Sequence, residues 1–368
     1  MKVNREWGIR NLGIDEARVN VAASQMDDQT IQLELIEFDS ERPSPTAVPS
    51  LSAGTGMSRF VDIPWPKDLA PRPGPKPVGS SLPKCDVLVV TWTVEEGHAL
   101  SRVLTPGVDS HDDWKAYRKN YARLSKDMVP RSPARQYGRL GTYWTSKIGA
   151  RDVTLFKSDS HMSQDGPKLA NAKLWRQVIE ETRPRWVITT GTGGGIGRTF
   201  EVGDVIVSRF VAYDCKRTFK RFNGQAYTSP KNPLPTQFGR AQKLFAKNAA
   251  FLPADNRRPP KIITARTRRQ GILTTDYFGF DNTANTYHLR GKGDLSEMGD
   301  AVLGMVCADL GVAAPQFVIV RNVSDPEIDS TGLTLPQQKK MAADIYKRYG
   351  RWSSVCSAIV CWAIVAAI

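Results

Sequence analysis

From Asp86 onwards, short apolar runs rich in Val, Ile and Thr alternate with longer stretches whose apolar residues recur every three or four positions. The first pattern is typical of buried strands and the second of amphipathic helices. Their alternation predicts an α/β fold, a three-layer α/β/α arrangement with a mixed, mostly parallel central sheet. The predicted strands are Val87 to Thr91, Asp152 to Phe156, Trp186 to Thr190, Asp204 to Ser208, Ile262 to Ala265 and Phe317 to Val320. The predicted helices are Glu95 to Leu104, Asp112 to Lys126, Lys168 to Thr182, Phe238 to Phe251, Ser296 to Leu310 and Leu335 onward.

The chain before Asp86 has a different composition. Ten of the 24 prolines fall within residues 43–83, interspersed with Ser and Gly. Because proline fixes φ and removes a backbone donor, this stretch is predicted to be an extended linker or a wrapping arm. Residues 1–42 contain one predicted strand, Ile31 to Phe38, and no role follows from their sequence. The predicted organisation is an N-terminal extension (1–42), a Pro-rich linker or arm (43–84) and an α/β domain (85–368).

The chain ends in an apolar run, Val355 to Ile368. Its length of about 14 residues is short of the roughly 20 that a membrane-spanning helix needs. It also continues a helical pattern that runs from Gln337 to Tyr349, so we expect a buried helix rather than an anchor. The first ten residues lack the apolar core of a signal peptide, and we expect a cytoplasmic protein without a membrane partner.

Residues 186–208 are the most informative stretch. The predicted strand from Trp186 leads into a predicted glycine-dense turn, Gly191 to Gly197, with five glycines in seven residues. Glycines allow positive φ and let backbone N–H groups approach an anion or a sugar closely. The stretch fits neither common phosphate loop, because Ile196 and Arg198 interrupt GxGxxG and the lysine of GxxxxGK[ST] is missing. A plain tight turn between two strands is the structural alternative.

Four motifs occur in order along the chain: ITTGTGGGIG with EVGDVIVS, GILTTDYF at 271–278, SEMGDAVLGMVC at 296–307 and VIVRNVSD at 318–325. Together they resemble the nucleoside phosphorylase superfamily, and most of all its hydrolytic branch, the methylthioadenosine/S-adenosylhomocysteine nucleosidases. The resemblance covers roughly residues 85 to 368. It implies a nucleoside phosphorylase-like catalytic domain that cleaves the N-glycosidic bond of a purine nucleoside or nucleotide.

The resemblance implies two catalytic carboxylates. Asp325 matches the aspartate that protonates the purine ring, and it follows a strand at the edge where open α/β sheets bind ligands. An N-cap or an Asx-turn before Pro326 is the structural alternative. Glu96 aligns with the base that activates the attacking water. The structural alternative is a Glu at a helix N-terminus, where the helix dipole stabilises a negative charge. The family's phosphate-binding turn and arginine are missing at this point, which favours hydrolysis over phosphorolysis.

Further residues match positions that contact the substrate. Phe278 matches the aromatic residue that stacks on the base, and Met298 matches the methionine under the ribose. The loop residues Thr192, Gly193 and Gly194 match positions near the sugar and the water. Where the nucleosidases have a glutamate that holds both ribose hydroxyls, this chain has Gly299. Either Glu297 or Asp300 takes over, or the sugar is held differently, as with a 2′-deoxy sugar.

Positive charge is concentrated in one segment. Residues 209–269 contain 15 Lys and Arg against two Asp, a net charge of +13, while the whole chain carries +14. A field of one sign attracts an anionic ligand, and arginine suits phosphate oxygens. We therefore expect a preference for a 5′-phosphorylated nucleotide over the neutral nucleoside, with a surface for nucleic acid or an acidic partner as the alternative. The candidate phosphate-binding residues are Lys216, Arg217, Lys220, Arg221 and Arg268.

Two other functions stay open. One is a phosphate-dependent phosphorylase; the other is a nucleic-acid-binding or sensing module on an inactive nucleosidase scaffold, motivated by the charge and by Gly299. Nucleic acid is not the expected ligand, because the chain has no zinc-finger spacing, RNP aromatic pair or basic heptads. The four His and five Cys show no metal-ligand spacing, so no metal or cofactor is expected.

The resemblance further implies a homo-oligomer, a dimer or a hexamer. The insertion at residues 106–146 is predicted to cap the site or to extend the subunit contact. Both salvage metabolism and nucleotide depletion in bacterial antiviral defence are compatible with this family.

Overall fold

Thirteen strands build one sheet in the part of the chain that this computed structural model describes, which is residues 63–368 without 131, 163–164, 198, 232–234, 248–255 and 257. The strands are β1 (Arg72–Pro73), β2 (Val87–Thr91), β3 (Lys115–Tyr117), β4 (Gly141–Ile148), β5 (Arg151–Ser158), β6 (Trp186–Gly195), β7 (Val205–Ser208), β8 (Phe210–Tyr213), β9 (Ala226–Thr228), β10 (Ile262–Thr264), β11 (Ile272–Thr274), β12 (Leu295–Glu297) and β13 (Gln316–Asp325). The helices are α1 (Val94–Leu104), α2 (Tyr121–Leu124), α3 (Pro133–Tyr137), α4 (Ala170–Thr182), α5 (Phe238–Lys247), α6 (Asp300–Leu310) and α7 (Leu335–Val365). The predicted strand Ile31 to Phe38 and the end of the predicted helix at Phe251 lie outside the described residues.

The centre of the sheet is parallel. β2 pairs in parallel with β5 and β6, and β6 pairs in parallel with β13. Antiparallel neighbours extend the sheet at its edge, where β4 pairs with β5, β3 and β1. The strand order is β1-β4-β5-β2-β6-β12-β11-β8-β9, while β13 joins β6 to β7 and β10 continues from β7. This arrangement brings the carboxyl ends of β5, β2, β6 and β13 to one edge.

Both faces of the central strands are covered, because successive side chains of a strand point to opposite faces. Val87 and Val89 of β2 belong to one buried cluster with α1, α5 and α7. Leu88 and Val90 belong to a second buried cluster with α4 and α6. The predicted three-layer α/β/α fold with a mixed sheet is thereby confirmed.

The apolar C-terminal run forms the end of α7, and this prediction is confirmed. The helix begins at the N-cap Thr334, whose side chain and that of Gln337 form a reciprocal capping box. Its residues 355–365 are buried against the sheet. No helix within the described residues is long and apolar enough to cross a membrane.

Residues of the Pro-rich segment pack onto the α/β domain where the structure describes them. β1 pairs with β4, and the rings of Trp65 and Trp362 lie 4.5 Å apart. The indole Nε1 of Trp362 donates a hydrogen bond to the carbonyl oxygen of Leu69 at 2.7 Å. This segment therefore covers the end of α7.

The predicted helix from Asp112 to Lys126 is wrong. The apolar spacing of Trp114 and Tyr117 suits a helix, but both side chains are buried and the backbone between them forms β3 against β4. Asn120 then adopts a left-handed conformation with φ of 57°, so that only the short helix α2 follows. Pairing with β4 has overridden the local helical preference.

The helix predicted from Ser296 begins only at Asp300. Residues 295–297 instead form β12, which pairs in parallel with β11 and antiparallel with β6. The helix cannot begin earlier, because the backbone of Leu295 and Ser296 is engaged by these strands.

Candidate active site

A pocket opens at the carboxyl ends of the four parallel central strands. Its walls include residues 92, 93 and 96 after β2, residues 157–159 at the end of β5, residues 192–194 of β6, and residues 321, 324 and 325 of β13. Parallel strands bring these segments together although they are far apart in sequence, and this edge is where open α/β sheets bind ligands.

Glu96 lies in this pocket with its carboxylate saturated by donors. Oε2 accepts hydrogen bonds from Thr91 Oγ1 and from the N–H groups of Trp92 and Thr93, at 2.8, 3.1 and 3.0 Å. Oε1 accepts from the N–H and the hydroxyl of Thr192 at 2.8 and 3.0 Å. Burial alone would raise the pKa of Glu96, but the charge of Arg321 and the backbone donors outweigh it and lower the pKa below its ordinary value. The side chain is therefore held as a carboxylate.

Local folding accounts for the position of Glu96. Thr93 is the N-cap of α1, and its side chain accepts a hydrogen bond from the N–H of Glu96. Glu96 in turn accepts from the N–H of Thr93, which completes a capping box. The hydrogen bonds that begin α1 are thus the same ones that position Glu96.

Arg321 is a buried cation among three carboxylates. Its Nε and Nη2 each donate to one oxygen of Asp300 at 2.8 Å, a bidentate pair. Nη2 also donates to Glu297 at 3.3 Å, and Nη1 lies 3.9 Å from Glu96 Oε1. The guanidinium lies 4.7 Å from the ring centre of Trp92. Arg321 therefore connects β13 with α6, β12 and α1 beneath the pocket.

Glu297 lies beside this cation. Its carboxylate accepts hydrogen bonds from the N–H groups of Gly299 and Asp300 and from the hydroxyl of Thr274. Burial and the neighbouring Asp300 raise the pKa of Glu297, against the charge of Arg321. Its contacts are therefore mostly to the protein's own backbone at the start of α6.

Asp325 is the last residue of β13 and lines the pocket. Oδ1 accepts a hydrogen bond from Ser324 Oγ at 2.8 Å. Burial raises the pKa of Asp325 to about 7, against a lowering effect of the Ser324 hydroxyl. A carboxyl group that is half protonated near neutral pH is suited to general acid catalysis.

Aromatic and thioether side chains form the wall next to Asp325. Phe278 and Met298 line the pocket, together with Tyr346 of α7. The ring of Phe278 packs 6.0 Å from that of Phe280. Such a wall is suited to a flat aromatic ligand placed within reach of Asp325.

Comparison with known protein families assigns most of the described domain to one of them. The model of the phosphorylase superfamily matches residues 116–351. The chain belongs to the phosphorylase superfamily.

Two relatives within this superfamily are named as 5′-methylthioadenosine/S-adenosylhomocysteine nucleosidases. That of Psychromonas ingrahamii is 27% identical over 210 residues, which cover 55% of this chain and 80% of the relative. That of a Geobacillus species is 29% identical over 187 residues, which cover 49% of this chain and 71% of the relative. A solved structure of the Neisseria meningitidis enzyme in complex with methylthio-immucillin-A has a TM-score of 0.47, with 19% identity over 77% of this chain and 99% of that chain.

Most of the residues that the superfamily motifs predicted converge in the pocket. Glu96, Asp325, Phe278, Glu297 and Met298 line it. The loop residues Thr192, Gly193 and Gly194 line it as well.

Asp300 is placed differently. It is fully buried, both of its oxygens accept from Arg321, and it is not among the described residues that line the pocket. Asp300 therefore does not substitute for a sugar-binding glutamate at Gly299; it neutralises Arg321.

The five basic candidates for phosphate binding do not line the pocket in the described part of this chain. The backbone N–H groups of Lys216 and Arg217 donate to the carboxylate of Asp276, and the side chains of both residues are exposed. Lys216 lies over the ring of Tyr277, and Arg221 lies over the ring of Phe222. Lys220, Arg221 and Arg268 are exposed in the same way. The high positive charge of residues 209–269 therefore does not place the five candidate residues at the pocket.

Several lining residues were missed by sequence analysis. Lys157 and Asp159 come after the predicted strand Asp152 to Phe156, so the strand-end rule that supported Asp325 also applies to them. His161 lines the pocket too, and burial together with the charge of Arg321 lowers its pKa to about 4. Pro133 and Tyr137 of α3 bring part of the 106–146 insertion to the pocket. Among the described residues, no group of three or more His, Cys, Asp or Glu is arranged to hold a metal ion.

The predicted glycine turn at 191–197 is also wrong, because β6 continues as a strand to Gly195 and pairs with β13. Of these glycines only Gly197 has positive φ, at 108°. The others permit close approach instead. A Cβ at Gly191 would collide with the Glu96 carboxylate and the Arg321 guanidinium, and one at Gly194 would lie 2.9 Å from Asp325 Oδ2.

We expect the change Gly191→Ala to lower the free energy of unfolding by about 1 to 3 kcal/mol, as overpacking does, and to displace Glu96 from its donors. Chemical denaturation and the rate of base release are the measurements. Gly239→Ala in α5 is the matched control, because no heavy atom lies within 4 Å of its added Cβ. A Gly191→Ala protein with the parent's stability and rate would contradict the close-approach explanation.

Proposed function

We propose that this protein hydrolyses the N-glycosidic bond of a purine nucleoside or nucleotide and releases the free base. The observation that carries the proposal is the pair of carboxyl groups in one pocket with opposite pKa shifts: Glu96 lowered, Asp325 raised to about 7. Groups whose environments drive their pKa values apart are suited to serve as base and acid. The naming of both sequence relatives as nucleosidases supports the same reaction.

In the proposed mechanism, Asp325 donates a proton to the purine as the bond to the sugar breaks. Phe278 stacks on the base, and Met298 lies under the sugar, which gains oxocarbenium character. Glu96 accepts a proton from a water that attacks the anomeric carbon. Base and sugar leave as separate products, and the proton taken up by Glu96 balances the one given by Asp325.

Water is favoured over phosphate as the attacking group because of the charges near Glu96. A phosphate ion there would face the Glu96 carboxylate, and Arg321, whose Nη1 lies 3.9 Å from Glu96 Oε1, is already paired with Asp300 and Glu297. Repulsion between like charges at such distances disfavours binding of a dianion.

The test is chromatographic detection of free base from a panel of purine nucleosides and nucleotides, with and without inorganic phosphate. We expect release without phosphate. Release that depends on phosphate would replace hydrolysis by phosphorolysis, and binding of nucleic acid without any base release would favour a binding module on an inactive scaffold.

The pKa values predict the pH dependence of the reaction. Since Asp325 must be protonated and its pKa is about 7, kcat/KM is expected to fall as the pH rises through about 7. Since Glu96 must be ionised and its pKa is lowered, the rate should persist well into the acidic range. A profile of kcat/KM between about pH 4 and pH 9 measures both limbs. An alkaline limb that persists unchanged after the Asp325→Asn change would assign it to another group.

A further inference from the structure

We propose that the end of the pocket at Lys157 and Asp159, where Arg139 also pairs with Asp159, is a subsite for an anionic substituent, a phosphate or a carboxylate, on the sugar of the substrate. This inference rests on the proposed nucleosidase function and narrows its substrate class. The described basic residues of the segment 209–269 do not line the pocket, so the subsite at Lys157 takes their place in the hypothesis that charged substrates are preferred.

The subsite consists of two cations that share one carboxylate. Lys157 Nζ lies 2.5 Å from Asp159 Oδ1, and Arg139 Nε lies 2.7 Å from Asp159 Oδ2. The Lys157 side chain is 10% exposed, and the Asp159 side chain is fully buried. Two positive charges against one negative charge leave an excess of one positive charge at this wall.

Donors remain available for a ligand. A lysine ammonium has three N–H donors, and the hydrogen bond to Asp159 uses one of them. Arg139 is not among the described residues that line the pocket, but its Nε donates to Asp159 and helps to neutralise that carboxylate, which leaves the charge of Lys157 for the ligand. Each oxygen of Asp159 already accepts a hydrogen bond from a cation. An anion that binds the remaining donors of Lys157 therefore leaves both of these hydrogen bonds in place.

The rest of the pocket directs an anion to this end. Arg321, the other Lys or Arg among the described lining residues, is surrounded by Asp300, Glu297 and Glu96. His161 is close to its neutral form at pH 7, because burial lowers its pKa. Among the described lining residues, Lys157 is therefore the one whose positive charge is available to an anionic ligand.

Gly299 leaves one wall of the pocket without a carboxylate. A Cβ at Gly299 would point towards Trp92 and His161, 3.6 and 3.7 Å from their nearest atoms. A glutamate there would bring a negative charge towards these two rings, which both line the pocket. With glycine, a substituent larger than a hydroxyl group meets no carboxylate at this position.

The test compares kcat/KM for adenosine with kcat/KM for its 2′-, 3′- and 5′-monophosphates, in the absence of inorganic phosphate. We expect the parent protein to prefer one of the monophosphates. Lys157→Met should lower kcat/KM for that substrate by roughly 10- to 100-fold more than it lowers kcat/KM for adenosine, which is the value of a charge-assisted hydrogen bond. Lys157→Arg should retain most of the preference.

The matched control is Lys147→Met. Lys147 forms an exposed pair with Asp152 at 3.3 Å on the same β4–β5 hairpin, away from the pocket. This variant should keep the parent's substrate preference and unfolding temperature, whereas Lys157→Met should unfold at a lower temperature because it removes one partner of the buried Asp159; all rates are compared where both variants are folded.

Three outcomes overturn the subsite. The first is an equal loss of rate for adenosine and the monophosphates in Lys157→Met, and the second is no loss for either. The third, seen in assays with inorganic phosphate, is a rise only in the KM for phosphate, which would make the anion a co-substrate. Failure of the hydrolase proposal is separate: a parent protein that releases no base overturns the reaction. Calorimetric Kd values of the monophosphates for parent and Lys157→Met proteins still decide the subsite, because equal values contradict it.

Discussion

Asp325→Asn should lose base release by about 100-fold or more, because positioned proton transfer typically contributes that much to a rate. Asparagine has nearly the shape of aspartate and retains an oxygen that can accept from Ser324 Oγ. It cannot transfer a proton to the purine. The change therefore removes the chemistry and leaves the packing at the end of β13 in place.

The measurement is single-turnover release of free base at pH 6, where Asp325 of the parent is mostly protonated. Asp309→Asn is the control, since Asp309 is exposed on α6 and lies 3.6 Å from Arg176. It should behave like the parent protein. An Asp325→Asn protein that is as active as the parent would rule out the role of Asp325 as general acid.

Arg321→Met should lower the free energy of unfolding by about 3 to 5 kcal/mol, the usual cost of leaving buried charges without their partner. The side chain is 4% exposed and neutralises Asp300, Glu297 and Glu96. Without it, the folded-state pKa of Glu96 is no longer held below its ordinary value, and that of Glu297, which is already raised, rises further, because both groups stay buried. The loss should therefore be largest above neutral pH and shrink as the pH falls towards about 4, where the unfolded carboxyl groups take up protons.

Denaturant titrations at two pH values measure this loss. Arg176→Met is the control, because it removes a largely exposed pair with Asp309 and should change stability by no more than about 1 kcal/mol. A loss in Arg321→Met that does not depend on pH would point to packing against Trp92 rather than to charge.

Sequence patterns predicted the central layer well. Val87 to Thr91 was predicted as a strand with the bounds that the structure shows, because a continuous β-branched run between polar residues has few alternatives. The rule that ligands bind at the carboxyl ends of parallel strands supported Asp325, and the resemblance to the nucleosidases indicated Glu96; both residues line the pocket.

Contacts between residues that are far apart in the sequence could not be predicted from these patterns. No spacing in the sequence indicates that Arg321 pairs with Asp300, or that Gly191 is needed because Glu96 lies against it. The stretch around Trp114 and Tyr117 has helical spacing, and only its pairing with β4 makes it a strand. The charge of residues 209–269 was likewise a property of composition, which carries no information about the direction of exposed side chains.

The reciprocal capping of Thr93 and Glu96 has a consequence for mutational studies. Replacing Glu96 by a residue without a side-chain acceptor also removes the capping box that fixes the first turn of α1 and breaks the bridge to Thr192. Loss of turnover after such a change is therefore ambiguous between altered chemistry and a shifted helix. Asp325, whose carboxylate accepts one side-chain hydrogen bond, offers the cleaner separation of reactivity from architecture.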